Sequence, residues 1–371
     1  MFILVPAVSG AYVITPDKVP KEFWWWSKSS LVYHPALLIS YGVVLAEGGF
    51  NEDVFRNFAD YWKVNLDSSI AVSDSGGFEI HSRGVKIDLD DLFEWQFSNS
   101  NIIFSLDIPP RGMSKVDDVR DWDYCKKISR KNLEELLRYS SSRKVENRKI
   151  YGVVHGIALE ELDDWYNYVL KDYIYSLDGL SYSVRPPSNV NALSLCLAHA
   201  YVHDVKNVHM LGVTGSRTIP FMIYWKNKFR LLTTDSSSFT KLAGRGQVYM
   251  PISLDRVQVG ARLSAYHDSV CHCPACQWAR KKGIMNLFKL NSTLKYVVAY
   301  MHNLFWLLCY VDYLEWLPKE KIKDLLPQFQ ETFDFLDCVE GKSLEECYSM
   351  FDVLSDVKSR NVLKKPRKRW W

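Results

Sequence analysis

Between residues 30 and 250 the chain repeats one pattern: a short β-branched or apolar run, then a longer stretch with helical spacing of its apolar residues. The runs are Ala36–Ser40, Ile70–Ser73, Ile102–Leu106, Ile150–Val154, Gly179–Ser183, Val208–Val213 and Leu231–Thr234. The amphipathic segments between them include 51–64, 116–139, 159–170, 191–203 and 216–229. The N-terminal segment 1–11 is apolar, lacks the basic residues that open a signal peptide, and reads as a first strand. A β-then-α rhythm of this length implies a parallel sheet with crossover helices. So many units predict an α/β fold, a closed (β/α)8 TIM-type barrel rather than an open doubly wound sheet.

The strand ends carry chemistry. Ile70-Ala-Val-Ser-Asp74 and Ile102-Ile-Phe-Ser-Leu-Asp107 end in aspartate, Tyr151-Gly-Val-Val-His155 in histidine, and Leu231-Leu-Thr-Thr-Asp235 in aspartate. One such aspartate could be an ordinary helix N-cap. Four titratable groups at four strand ends converge on the C-terminal mouth, where barrel enzymes react their substrates.

After residue 250 the rhythm stops. Cys271, Cys273 and Cys276 fall within six positions, and His302 follows after 25 intervening residues. Three thiolates and one imidazole fill a tetrahedral Zn²⁺ shell and leave no open position, so the site is expected to be structural, with one zinc per chain. His267 and His272 are rival ligands, His272 being poorly placed between two of the cysteines. The His-x-Glu partner of a zinc deaminase is absent. Clustered thiols point to metal ligation in a reducing, cytoplasmic compartment rather than to disulfides.

The organisation expected is a catalytic barrel over 1–263, an inserted zinc-binding subdomain over 264–317, a helical segment over 318–357 and a basic tail over 358–371. With 47% hydrophobic residues in 371, a disordered chain is excluded. The longest apolar stretch, 296–311, is interrupted by His302 and Asn303 and is too short to span a bilayer. The formal charge is only +3, but seven basic residues and no acid lie from Lys358 onward, which leaves 39 basic against 43 acidic residues before it.

Taken in order, Ser73-Asp-Ser-Gly-Gly-Phe78, Leu106-Asp107, Val154-His155-Gly156, Leu211-Gly212-Val213, Asp235 and the Cys-x-Cys-x2-Cys…His site resemble the tRNA-guanine transglycosylase superfamily across roughly residues 35–310. The resemblance implies a (β/α)8 barrel with a zinc subdomain that exchanges guanine in a polynucleotide for a 7-deazaguanine base. It matches Asp235 to the nucleophile, Asp74 to the general acid/base and Asp107 to the carboxylate reading the base's N–H edge. Gly76 and Gly77 would let the backbone approach the base, with His155, Ser181 and Gly212 among the binding positions. Phe78 and Leu211 either sandwich the base or pack in the core. A carboxylate nucleophile with a second proton-moving group is what base exchange with retained configuration requires.

The chain also departs from the tRNA-acting pattern. Glu79 and His155 stand where glutamines are usual, Ser181-Tyr-Ser-Val184 replaces a Gly-Gly-Leu-Ala-type loop, and Ser236-Ser-Ser follows the nucleophile in place of Pro-Thr-Arg. This combination resembles the DpdA-type paralogues, which place a 7-deazaguanine, typically 7-cyano-7-deazaguanine, in DNA. DNA is therefore the expected substrate, with tRNA, or a non-catalytic partner subunit of a tRNA enzyme, as the alternative. Helper proteins that open DNA, and a homodimer, fit the same family. Phosphate contacts are expected from Lys241 and Arg245, from Arg280, Lys281 and Lys282, and from Lys364, Lys365, Arg367, Lys368 and Arg369 in the tail. Trp370 and Trp371 suit base stacking, whereas Trp24, Trp25 and Trp26 read as packed against the barrel.

Overall fold

The computed structural model describes residues 1–8, 12, 16–47, 51–77, 84, 86–110, 119–143, 148–251, 254–258, 271–284 and 293–360. Eight parallel strands make one sheet: β1 (Phe2–Pro6), β2 (Ala36–Ser40), β3 (Ile70–Asp74), β4 (Ile102–Phe104), β5 (Lys149–His155), β6 (Gly179–Ser183), β7 (Asn207–Leu211) and β8 (Leu231–Ser236). Their order is β1-β8-β7-β6-β5-β4-β3-β2. A bridge between Ala7 and Leu38 brings the two ends of that order together. The fold is the (β/α)8 barrel that the strand rhythm predicts, with strand limits displaced by at most a few residues.

Alternation along each strand sorts side chains into two sets. Inside the barrel, Val5, Ala36, Leu38, Val72, Ile102, Phe104, Tyr151 and Val153 form a small apolar plug. Their outward neighbours, such as Leu4, Leu37, Ala71, Val154 and Leu232, join the larger core between sheet and helices. Continuing the inward parity toward the strand ends places Ser40, Asp74, His155, Ser183, Leu211 and Asp235 in one set. The plug is apolar below and polar at the mouth because the same strands switch composition over their last one or two inward positions.

The helices follow their expected positions with two changes. The segment 51–64 breaks at Asn57 into Glu52–Arg56 and Phe58–Tyr61. The helix Leu159–Trp165 continues through a wider turn, Tyr166–Leu170. A short antiparallel hairpin, β9 (Gln247–Tyr249) and β10 (Arg256–Gln258), was not expected from the sequence.

Trp25 and Trp26 are buried, as anticipated, around Tyr12, and donate to the carbonyls of Ala36 (2.9 Å) and Trp62 (3.1 Å). The apolar stretch near residue 300 is longer than expected. It belongs to the 24-residue helix Thr293–Trp316, which by length and composition alone could cross a membrane. Its face from Val297 to Leu304, with Leu307, Val311 and Leu314, is buried in the protein. Cys338 and Cys347 form a disulfide between the helices Gln330–Val339 and Leu344–Met350. The sequence reading, which concerned the cysteine cluster at 271–276, did not foresee this pair, because spacing alone does not reveal that two helices bring these thiols together.

Candidate active site and metal centre

Each strand-end carboxylate has partners that hold its orientation. At the end of β3, Asp74 accepts from Ser40 Oγ at 2.8 Å through Oδ2 and from the Gly76 amide at 3.4 Å through Oδ1. Ser40 is opposite Asp74 in the β2–β3 register, so strand pairing itself supplies this donor. Just beyond β4, Asp107 is 9% exposed and its Oδ2 accepts from His155 Nε2 at 2.7 Å. His155, 1% exposed at the end of β5, packs edge-on against Trp165 with ring centroids 4.7 Å apart. Its Nδ1 is buried with no hydrogen-bond partner among the described residues.

Asp235 is on β8, opposite Val5 of β1. Its Oδ1 accepts from the Gly212 amide and lies 3.3 Å from His209 Nε2. His209 is held in turn by Thr233, Nδ1 to Oγ1 at 2.8 Å. Among the described residues, no hydrogen bond reaches Asp235 Oδ2. One oxygen is thus fixed by the strand-end contacts.

Two glycines are required by close approach. Gly76 has φ +81°, and a Cβ there would sit 2.3 Å from the Gly42 Cα. A Cβ on Gly77 would meet the Asp107 carbonyl at 2.1 Å and its Oδ1 at 3.2 Å. The Asp74–Gly77 turn is therefore pressed against both the start of the helix Tyr41–Glu47 and the base of Asp107.

Next to Asp235, a cavity of about 590 Å³ is lined by Gly212, Thr214, Arg217, Ser238, Lys241 and Arg256. Hydroxyls and three cations against one carboxylate, Asp255, give the lining an excess of positive charge that suits an anionic ligand.

The sequence-derived positions are brought together unevenly. Asp74, Gly76, Gly77, Asp107, His155, Leu211, Gly212 and Asp235 all gather at the C-terminal strand ends. Ser181 faces inward on β6, fully buried, its hydroxyl unpartnered among the described residues. Lys241 borders the cavity and Arg245 caps the helix Ser238–Gly244. Lys281 and Lys282 are exposed at the end of the helix Pro274–Lys281, whereas Arg280 donates to the Cys271 carbonyl at 2.7 Å and so braces the cysteine loop. Phe78, His267 and the tail residues Lys364, Lys365, Arg367, Lys368 and Arg369 lie outside the described residues, as do Trp370 and Trp371. His209, Ser40, Arg217 and Arg256 were missed. For His209 the available signal was parity: it is two residues before Leu211 on the same strand.

The four metal-ligand candidates do meet. The sulfurs of Cys271, Cys273 and Cys276 lie 3.5, 3.3 and 3.5 Å from His302 Nδ1. Ligands at the usual Zn–S and Zn–N lengths in a tetrahedron would be about 3.6 Å apart, so the spacing fits a Cys₃His zinc shell. His302 Nε2 faces the Tyr249 carbonyl at 3.1 Å, which fixes the tautomer that presents Nδ1. All four residues are buried, while His272 is exposed and takes no part. Bonds with Cys271 and Cys273, then burial, push the Cys276 thiol far above its ordinary value. A divalent cation converts that crowding into attraction by holding the thiolates. Asn303 ties the same helix to the hairpin, accepting from the Tyr249 amide at 2.9 Å and donating to the Phe239 and Gln247 carbonyls.

The chain is 25% identical over 342 residues to a queuine tRNA-ribosyltransferase of Thermoanaerobacter pseudethanolicus, covering 86% of this chain and 85% of that protein. That match supports the tRNA-guanine transglycosylase superfamily. No family model matches the chain. The relative's activity is a glycosyl transfer, and at that level it supports a pentosyltransferase here.

Proposed function

We propose that this protein is a base-exchange transglycosylase that replaces guanine in DNA with a 7-deazaguanine base, 7-cyano-7-deazaguanine being the expected one. The reading is carried by two inward carboxylates at separate strand ends, Asp235 with one oxygen fixed and Asp74 held by Ser40. Asp235 Oδ2 attacks the C1′ carbon as the bond from C1′ to guanine breaks, and Asp74 gives a proton to the departing base. Asp74 then takes the proton from N9 of the incoming 7-deazaguanine, whose nitrogen displaces Asp235 from C1′. Two inversions leave the sugar configuration unchanged. Asp107, held by His155, accepts from the N–H edge of the base. A zinc held by Cys271, Cys273, Cys276 and His302 would supply rigidity to this segment, away from the two exchanging carboxylates.

A target guanine in duplex DNA must leave the stack, at a cost of a few kcal/mol. Arg217, Lys241 and Arg256 around the cavity, with Arg245, Lys281, Lys282 and the basic tail, would offset this through phosphate contacts. DNA is favoured by the residues after Asp235, by His155 in place of glutamine and by Ser181-Tyr-Ser-Val184. The second reading, exchange on tRNA, is favoured by the printed activity of the relative.

Incubation with radiolabelled guanine and tRNA, single-stranded DNA or duplex DNA separates the two. Label entering DNA supports the proposal, and label entering tRNA alone establishes the second reading. Asp235→Asn should abolish exchange with fold and zinc content retained; continued turnover would reject Asp235 as the nucleophile.

A further inference from the structure

Outside β5 and β6, across the sheet from the barrel interior, the helical layer holds another group of ligand-type side chains. Asp163 is on the helix Leu159–Trp165, His199 is in the last turns of Val190–Val202, and His203 caps that helix one turn later. Residues four apart share a helix face, so both imidazoles turn toward the same neighbour. Asp163 Oδ1 is 3.3 Å from His199 Nε2 and 3.9 Å from His203 Nε2. The three ligand atoms all lie within 4.8 Å of one another. Nitrogen and oxygen ligands about 2.0 Å from a tetrahedral zinc would be about 3.3 Å apart, so one pair is already at coordination spacing.

The surroundings favour ligation over a plain ion pair. His199 is fully buried, and its Nε2 pairs with Asp163 Oδ1 at 3.3 Å without meeting the angular requirements of a hydrogen bond. Its other nitrogen, Nδ1, is 2.9 Å from the Tyr182 hydroxyl, an outer partner of the kind that orients a metal-bound imidazole. Tyr166 packs on His203 with ring centroids 4.2 Å apart. The side chains of Asp163 and His203 are 40% and 29% exposed, so water can complete the shell.

We propose that Asp163, His199 and His203 form a second divalent-cation site, of the borderline class that two imidazoles and a carboxylate select, with zinc as its first candidate. The ion would clip together the helices that follow β5 and β6. This inference does not depend on the reaction catalysed at the barrel mouth.

The test uses the full-length protein with its cysteine centre already loaded. Titration with ZnCl₂ by calorimetry should show one further equivalent bound, and elemental analysis should then find two zinc ions per chain. His203→Ala should leave one zinc and weaken the second binding step at least tenfold. Asp163→Asn, which preserves volume at a part-exposed position, should do the same. Tyr182→Phe should weaken it by about 10- to 100-fold, as loss of an outer partner does. No further equivalent bound by the loaded, unmodified protein, so that its total stays at one zinc per chain, or two equivalents retained by His203→Ala and Asp163→Asn, would overturn the proposal.

Discussion

His155→Phe isolates the contribution of the imidazole to the carboxylate it holds. Phenylalanine keeps an aromatic ring against Trp165 but removes the donor that is 2.7 Å from Asp107 Oδ2. Hydrogen bonds to a charged group contribute about 1.5–3 kcal/mol, and Asp107 is too buried for bulk water to replace the donor freely. If Asp107 reads the base, the loss appears in kcat/KM as roughly a 10- to 150-fold decrease, each 1.36 kcal/mol being about tenfold. His155→Gln restores an N–H donor and should recover most of that loss. The assay is the steady-state rate of labelled-guanine exchange, measured together with the thermal midpoint so that lost folding is not mistaken for lost recognition. A His155→Phe protein with normal stability and unchanged kcat/KM would refute the role given to the pair.

Other perturbations give distinct readouts. Cys273→Ala removes a candidate metal ligand and the cap that accepts from the Cys276 amide, so elemental analysis should show one zinc fewer per chain and limited proteolysis should cut near residues 271–284. Gly76→Ala places a methyl 2.3 Å from the Gly42 Cα on a backbone with positive φ, and should lower the urea-derived stability by more than about 1–2 kcal/mol. Burial pushes His34 below its ordinary value, against the opposing bond to the Leu4 carbonyl at 2.6 Å. The unfolded chain therefore binds this proton first as pH falls. The resulting stability is present above about pH 6.5 and is lost on acidification, so His34→Gln should flatten the acid side of a thermal-midpoint profile.

The barrel was legible because its strands are short apolar runs set between amphipathic stretches, a pattern that survives without any tertiary knowledge. The candidate site was legible for a related reason: Asp74, Asp107, His155 and Asp235 each sit where an apolar run stops. His209 escaped notice because it lies inside such a run, where a polar side chain looks like an interruption rather than a strand-end group. The hairpin β9–β10 has only three residues in each strand, too few to show a period. Its place is set by Asn303, more than forty residues later in the chain. The Cys338–Cys347 bond likewise depends on how two late helices meet, which spacing does not encode.

The two-sided alternation of the barrel strands also limits how such a protein can change over generations. Substitutions along β8 can be graded in size and polarity, but inserting or deleting one residue before Asp235 would exchange its place with that of a neighbour and turn the carboxylate toward the helices. The strands are thus intolerant of length change even where they accept new side chains. Length change is tolerated in the connections instead, and those after the strands border the barrel mouth. Segments such as the one after Asp235 can therefore be lengthened or shortened to reshape the mouth, while the count of residues within each strand must stay constant.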